Sequence, residues 1–152
     1  YYGRQMKKIA EITVIRGIDN DPDLSYLGKY TNKWEKGAIS IVKRNDEIEF
    51  FIPANPEYGQ QDLKRMEKYN NRKWCMMYVK AKTKILTSRD VIIWLTHTVS
   101  SGGLYGIESD ATDKDFREIA MDQLSELHFV LEELGFNKQE IDAIEVKYEN
   151  FE

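Results

Sequence analysis

Apolar residues recur along residues 116–134 at intervals that place them on one face of an α-helix. Phe116, Ala120, Leu124, Leu127, Leu131 and Leu134 are separated by 4, 4, 3, 4 and 3 positions, which is the spacing of an amphipathic helix. Thr112 and Asp115 form a capping-box pattern before this segment, and Gly135 follows it as a stop signal. The sequence therefore predicts a long helix whose apolar face packs on a second layer of structure.

Segments rich in β-branched and aromatic residues predict a sheet as that second layer. They lie at residues 9–15, 38–42, 48–52 and 74–86, and the middle two flank a polar turn typical of a hairpin. Residues 91–99 fit either a strand or a buried helix, and their β-branched content favours the strand. Shorter helices are predicted over residues 60–70 and from Asn137 to about Val146.

These elements predict an α+β fold with a single domain over residues 6–152. We expect an antiparallel sheet of about four to five strands, with the long helix and one or two shorter helices packed on one face. A chain of 152 residues is long enough to bury the core that such a fold needs. Met6, Lys7 and Lys8 resemble the start of a protein, so residues 1–5 are expected to be a tag or an upstream extension.

Residues 100–110 join the most apolar run of the chain to the long helix, and they hold Gly102, Gly103 and Gly106. Glycines this close together predict a backbone that turns sharply from strand to helix, with Leu104, Tyr105 and Ile107 in the core. A phosphate cradle at the start of the helix is disfavoured, because the carboxylates that crowd this terminus repel an anion: Glu108, Asp110, Asp113 and Asp115.

Glu108 and Asp110 are also the residues that a hard cation such as Mg²⁺ would use. We favour a role for these carboxylates in complementing the helix dipole, and we expect neither a metal nor a cofactor.

Residues suited to catalysis are sparse. His97 and His128 are the two histidines, and neither stands in a nucleophile elbow, a Walker loop or a metalloprotease motif. Cys75, the single cysteine, has Trp74 and Met76 as neighbours and is expected to be a buried thiol in a reducing cytoplasm. No apolar run approaches the roughly 18 residues of a membrane span. We expect a cytoplasmic protein that is not an enzyme.

The net charge of −4 conceals two halves of opposite sign. Residues 1–106 carry 18 basic and 12 acidic residues, whereas residues 107–152 carry 4 basic and 14 acidic residues. Either the acidic half docks on the basic half, or the two present separate surfaces to different partners. On sequence grounds we favour the first interpretation.

Phe129 falls away from the leucine positions of the long helix, in an acidic environment. Its neighbours on that face are Glu118, Asp122, Glu126 and Glu133. An exposed aromatic residue surrounded by charges is typical of a protein-binding site. Packing of Phe129 against the last helix or against Tyr148 and Phe151 is the alternative, and the sequence leaves both open.

Residues 64–89 are rich in basic residues. Lys80, Lys82 and Lys84 alternate with uncharged residues, which places three ammonium groups on one face of a strand about 6.6 Å apart. With Arg72 and Lys73 they fit a nucleic-acid-binding stripe. The solvated face of an edge strand is the other interpretation, and we weigh it more heavily.

Four segments together resemble a family of small uncharacterised proteins of phages and other bacterial mobile elements. They are residues 21–28 (DPDLSYLG), 58–67 (YGQQDLKRME), 101–110 (SGGLYGIESD), and 123–127 (QLSEL) continuing to 134–136 (LGF). Tyr105 stands where the family often has Trp. The resemblance implies an accessory gene and assigns no reaction, so no catalytic residue is carried over.

This setting implies a protein that binds host machinery in the bacterial cytoplasm. We expect it to inhibit or modulate a host protein or nucleoprotein complex, for example as an anti-CRISPR or other anti-defence protein, through Phe129 and the carboxylates around it. A nucleic-acid-binding module that uses Lys80, Lys82 and Lys84 is the alternative. The sequence leaves the oligomeric state open, a dimer included.

Overall fold

A computed structural model describes residues 6–90 and 92–151, and it has the α+β fold that the sequence predicts. The described strands are β1 (Met6–Ile18), β2 (Gly28–Thr31), β3 (Ile39–Val42), β4 (Ile48–Pro53), β5 (Met76–Ser88), β6 (Leu95–Ser100), β7 (Leu104–Glu108) and β8 (Val146–Glu149). The described α-helices are α1 (Gly59–Asn70), α2 (Asp113–Glu133) and α3 (Lys138–Asp142). Residues 1–5, where a tag or extension is expected, lie outside the described residues.

The chain divides into two compact units, which are described separately. One unit comprises residues 20–75, and the other combines the residues before 20 with those from 76 onward. The single domain over residues 6–152 therefore stays a prediction.

The larger unit contains a five-stranded sheet in the order β6-β5-β1-β8, with β7 also paired to β5. β5 pairs antiparallel with β1, β6 and β7, as expected. The sheet is mixed rather than purely antiparallel, because β8 pairs parallel to β1. β8 takes the place of the end of the predicted last helix, since α3 ends at Asp142 and the chain then returns to the sheet.

Helix α2 covers one face of this sheet and forms the core with it. The buried side chains that meet here include Ile12 and Val14 from β1, Val79 and Ala81 from β5, and Phe116, Leu127 and Leu131 from α2. Within the predicted apolar stripe, Leu124 is only half-buried and Leu134 is exposed, whereas Gln123 is buried. At the centre of the helix the buried position is therefore Gln123, one residue before the predicted Leu124.

Both ends of α2 follow the predicted signals. The Thr112 hydroxyl accepts from the backbone N–H of Asp115, and the Asp115 carboxylate accepts from that of Thr112. At the other end Gly135 has a φ of 96°, and the N–H of Phe136 donates to the carbonyl of Leu131 in a Schellman motif. Asn137 begins α3 with a second capping box, which it forms with Glu140.

The smaller unit pairs β2, β4 and β3 in an antiparallel sheet, and β3 and β4 form the predicted hairpin. Phe51 is buried, with the Tyr30 ring packed edge-on against it at 5.4 Å between centroids. Burial, followed by the charges of Glu67 and Glu49, raises the pKa of the Tyr30 hydroxyl. Helix α1 confirms the short helix predicted over residues 60–70.

Candidate interaction surfaces

The predicted protein-binding residues lie together on the exposed side of α2. Successive residues of a helix are rotated by about 100°, so Glu118, Asp122, Glu126, Phe129 and Glu133 fall within an arc of about 80°. This arc is opposite the buried residues of the helix, and we call it the acidic face of α2. The Phe129 side chain is 63% exposed within it.

The tail of the chain does not cover Phe129. Tyr148 and Phe151 pack against each other with ring centroids 5.7 Å apart, and both line a groove of about 440 Å³ with Ala120 and Met121. Met121 lies about 80° around the helix from Phe129. Of the two interpretations of Phe129, exposure is the one that the structure supports.

A largely buried polar network ties α2 to residues 101–103, which join β6 to β7 and which we call the glycine segment. The Gln123 Oε1 atom accepts from the Ser101 hydroxyl at 2.7 Å and from the Gly103 backbone N–H at 3.0 Å. The Ser101 Oγ atom also accepts from the backbone N–H of Ala81 at 3.0 Å. Sequence reasoning missed Gln123, although a glutamine between the positions of a leucine stripe is a signal of such a link.

Glu126 has a structural contact as well as an exposed position. Its Oε1 atom accepts from the Gly102 backbone N–H at 2.8 Å. The two N–H groups at Gly102 and Gly103 that a phosphate cradle would use therefore donate to side chains of α2.

The glycine segment does not turn the chain from strand to helix. β6 and β7 pair with consecutive stretches of the same edge of β5, so residues 101–103 interrupt an edge strand, and α2 begins only after Thr112. Ile107 is buried as expected, but Leu104 and Tyr105 are 45% and 51% exposed. The expectation that all three residues fill the core is wrong. Between the Val79–Leu104 and Met77–Ile107 pairs, β7 has one residue more than β5, and this bulge, with Gly106 at a φ of 72°, turns Tyr105 away from the core.

Lys80, Lys82 and Lys84 lie on the face of the five-stranded sheet that is turned away from α2, which we call the open face. Their neighbours Val79, Ala81 and Thr83 are buried on the opposite face. Lys82 and Lys84 are exposed and Lys80 is half-buried, and the Lys84 ammonium lies 3.4 Å from the Glu11 carboxylate of β1. Because β5 pairs on both sides, the lysines line a central strand, and an explanation as edge-strand protection does not hold.

Arg72 and Lys73 belong to the smaller unit, beyond the end of α1. Both are exposed, and Arg72 has a φ of 60°. The structure therefore brings together three of the five predicted nucleic-acid-binding residues on one sheet.

Two tyrosines also lie at the open face, although the sequence predicts one of them, Tyr105, in the core. Tyr78 of β5 and Tyr105 of β7 are stacked, with centroids 5.2 Å apart and an interplanar angle of 24°. A Cβ atom at Gly17 would lie 2.6 Å from the Tyr78 ring, so the ring passes directly over this glycine. Tyr105 is the more exposed of the two.

The acidic face of α2 and the lysines of β5 meet the solvent on opposite sides of the larger unit. The acidic face of α2 points away from the sheet, and the open face points away from α2. The carboxylates of the acidic face therefore do not dock on the lysines of β5. For these residues the geometry favours two separate surfaces. Other parts of the two halves do meet, since Arg16 of β1 lies over the Phe116 ring of α2 at 3.6 Å from its centroid and Lys7 donates to the carbonyl of Leu134.

The remaining candidates for chemistry do not form a site. Within the described residues, no group of three or more His, Cys, Asp or Glu side chains is placed to hold a metal ion, Glu108 and Asp110 included. The His97 Nε2 atom is 2.8 Å from the Thr87 hydroxyl. His128 and Cys75 are half-buried, in separate units.

Comparisons with known proteins identify no relative. No family model matches the chain, and neither a curated protein nor a solved structure matches it. Among the described residues, none of the helices is long and apolar enough to span a membrane.

Proposed function

We propose that this chain is an accessory protein of a phage or mobile element that inhibits or modulates a host protein or nucleoprotein complex by binding it through the acidic face of α2. The observation that carries the proposal is the 63% exposure of Phe129 among carboxylates on a capped helix. The phage setting rests on the sequence resemblance.

Phe129 has the properties of an anchor residue. A phenyl ring that enters a pocket on the partner gains apolar burial at a low cost in side-chain entropy, and such anchors dominate many interfaces. Helix α2 is fixed by its capping box and by the packing of its apolar face. It therefore presents the ring without a cost for ordering a loop.

The carboxylates define the chemistry of the partner. Glu118, Asp122 and Glu133 are exposed beside Phe129, and they favour a positively charged surface, as found on nucleic-acid-binding proteins. The long-range attraction raises the association rate at low salt, and the phenyl contact slows dissociation. A CRISPR effector or another defence complex that holds nucleic acid fits this description.

Affinity capture from lysate of a bacterial host, with the immobilised protein and mass spectrometry, tests the proposal. We expect a protein with a basic surface that the wild type recovers and that the variant Phe129→Ala with Asp122→Lys loses. In a direct binding assay Phe129→Ala alone is expected to weaken the complex at least tenfold. Met121→Ala is the matched control, because Met121 is 67% exposed on the same helix but outside the acidic face.

The protein also has to change the activity of the partner that it captures. Addition of the protein should reduce the nucleic-acid binding or cleavage of the purified partner, and Phe129→Ala should restore it. Equal recovery by the wild type and the double variant, or a partner whose activity does not change, counts against the proposal.

A further inference from the structure

We propose that the open face of the five-stranded sheet binds single-stranded nucleic acid, with the lysines of β5 on the phosphates and Tyr105 stacked on a base. This inference uses a different surface from the acidic face of α2 and does not rest on the function proposed for that face.

The lysines are spaced and fixed for contact with a phosphate backbone. Alternate residues of a strand lie about 6.6 Å apart, so Lys80, Lys82 and Lys84 form a row of positive charge. This row lies on a strand that is paired on both sides, which holds the lysine backbones rigidly. A charged row of this kind follows a single strand without reading its sequence.

Hydroxyl residues of the neighbouring strands lie beside Lys82 and Lys84, whereas the apolar Ile15 lies beside Lys80. In the register of the sheet, Lys82 is opposite the half-buried Ser100 of β6 and the buried Thr13 of β1, and Lys84 is opposite the exposed Thr98 of β6. Hydroxyl groups beside lysines are common phosphate contacts. Thr13, Thr98, Lys82 and Lys84 also line a shallow hollow of about 200 Å³.

Carboxylates on the open face limit the charge but do not reverse it. Glu11 pairs with Lys84 at 3.4 Å, and Glu149 lines the same hollow. Both members of the Glu11–Lys84 pair are at least one-third exposed, so the pair is weak and a phosphate can replace Glu11. Lys8 and Lys147 add two further positive charges on this side of β1 and β8.

The aromatic pair favours nucleic acid over an acidic protein as the occupant. Tyr105 is 51% exposed, and Tyr78 supports it from behind while resting on Gly17. Lys80 lies beside this pair, since its side chain and the Tyr105 ring both approach Gly103. A supported ring next to a row of lysines is the arrangement on which an unpaired base stacks. Bases of a duplex are already stacked, so a single strand is the expected ligand.

Fluorescence anisotropy with labelled oligo(dT) and oligo(U), over a series of salt concentrations, tests the inference and compares DNA with RNA. We expect binding at low salt with a steep salt dependence and a lower affinity for a duplex of the same length. In the variant with Lys80, Lys82 and Lys84 all changed to Gln, the dependence of log K on log[salt] should become shallower. The magnitude of its slope should fall by about 2, because each phosphate contact contributes about 0.7. Tyr105→Ala should weaken binding about tenfold, and Tyr105→Phe should retain it.

The matched control removes three positive charges elsewhere, at Lys114, Arg117 and Lys138, and should leave the slope unchanged. A second measurement needs no variant: ultraviolet crosslinking of the wild type to oligo(dT) should label peptides from β5 and β7. Absence of binding at low salt, equal loss in the control variant, a duplex bound more tightly than the single strand, or crosslinks confined to other segments would overturn the inference. Loss of oligonucleotide binding with retention of the captured host partner separates this inference from the function of the acidic face.

Discussion

The acidic face of α2 and the open face of the sheet belong to the same unit, but they are assembled differently. The acidic face comes from one segment, in which carboxylates at intervals of four, such as Glu118, Asp122 and Glu126, repel one another. The open face takes its side chains from several strands, and there Lys84 has the opposite charge of Glu11 beside it. A surface formed by one helix can therefore be read whole from periodicity, whereas alternation gives a sheet surface only one strand at a time, as for the lysines of β5, and its other residues follow only from the register.

The largest effect on stability is expected at Gln123, which ties α2 to the glycine segment. Gln123→Leu leaves the buried Ser101 hydroxyl and the half-buried Gly103 N–H without their acceptor, which lowers the free energy of unfolding by about 2–3 kcal/mol. Urea unfolding measures this change. Gln139→Leu, the same substitution at an exposed position of α3, is the control and should change stability by less than about 0.5 kcal/mol. Equal effects of the two substitutions would contradict the role of the network.

This link also marks where sequence reasoning succeeds and where it ends. Thr112 and Gly135 bound α2 as predicted, because capping depends on residues close in sequence. Phe129 and the carboxylates around it lie on the exposed side of α2, as helical periodicity predicts. The parallel pairing of β8 with β1, the broken edge strand at residues 101–103 and the stacking of Tyr78 on Tyr105 were not predicted, because they depend on contacts between residues far apart in sequence.

Gly17→Ala tests how the open face holds its aromatic pair. The new Cβ would lie 2.6 Å from the Tyr78 ring, so the ring has to move, and we expect a loss of about 1–2 kcal/mol of stability. The near-ultraviolet circular dichroism of the tyrosines should change, and oligo(dT) affinity should fall with it. In a Tyr78→Ala background the same substitution should cost much less, because the clash is absent. A cost that is unchanged in that background would show that the ring is not its cause.

Asp122→Lys tests the repulsion on the acidic face, and here we expect a gain in stability. The lysine would lie one turn from both Glu118 and Glu126, which replaces two repulsive pairs by two attractive ones and raises the free energy of unfolding by about 0.5–1 kcal/mol at low salt. Asp122→Asn should give about half of this gain, and 1 M salt should remove most of both. Binding of the host partner should be lost, so that stability and function change in opposite directions. A gain that persists at high salt would argue against an electrostatic origin.

The smallest effect on stability is expected from Lys84→Gln, and it separates the two surfaces most directly. The Lys84–Glu11 pair and the Lys114–Glu118 pair, at 3.4 and 3.9 Å, are both exposed ion pairs, so the loss of either lysine should change stability by less than about 0.5 kcal/mol.

The two substitutions should differ in which binding reaction they change. Lys84→Gln should reduce the magnitude of the salt slope for oligo(dT) by about 0.7 and leave the host partner bound. Lys114→Gln should leave that slope unchanged and, because it makes the acidic face more negative, strengthen binding of the host partner at low salt. If both substitutions change the same binding reaction, the acidic face and the open face do not act as independent surfaces.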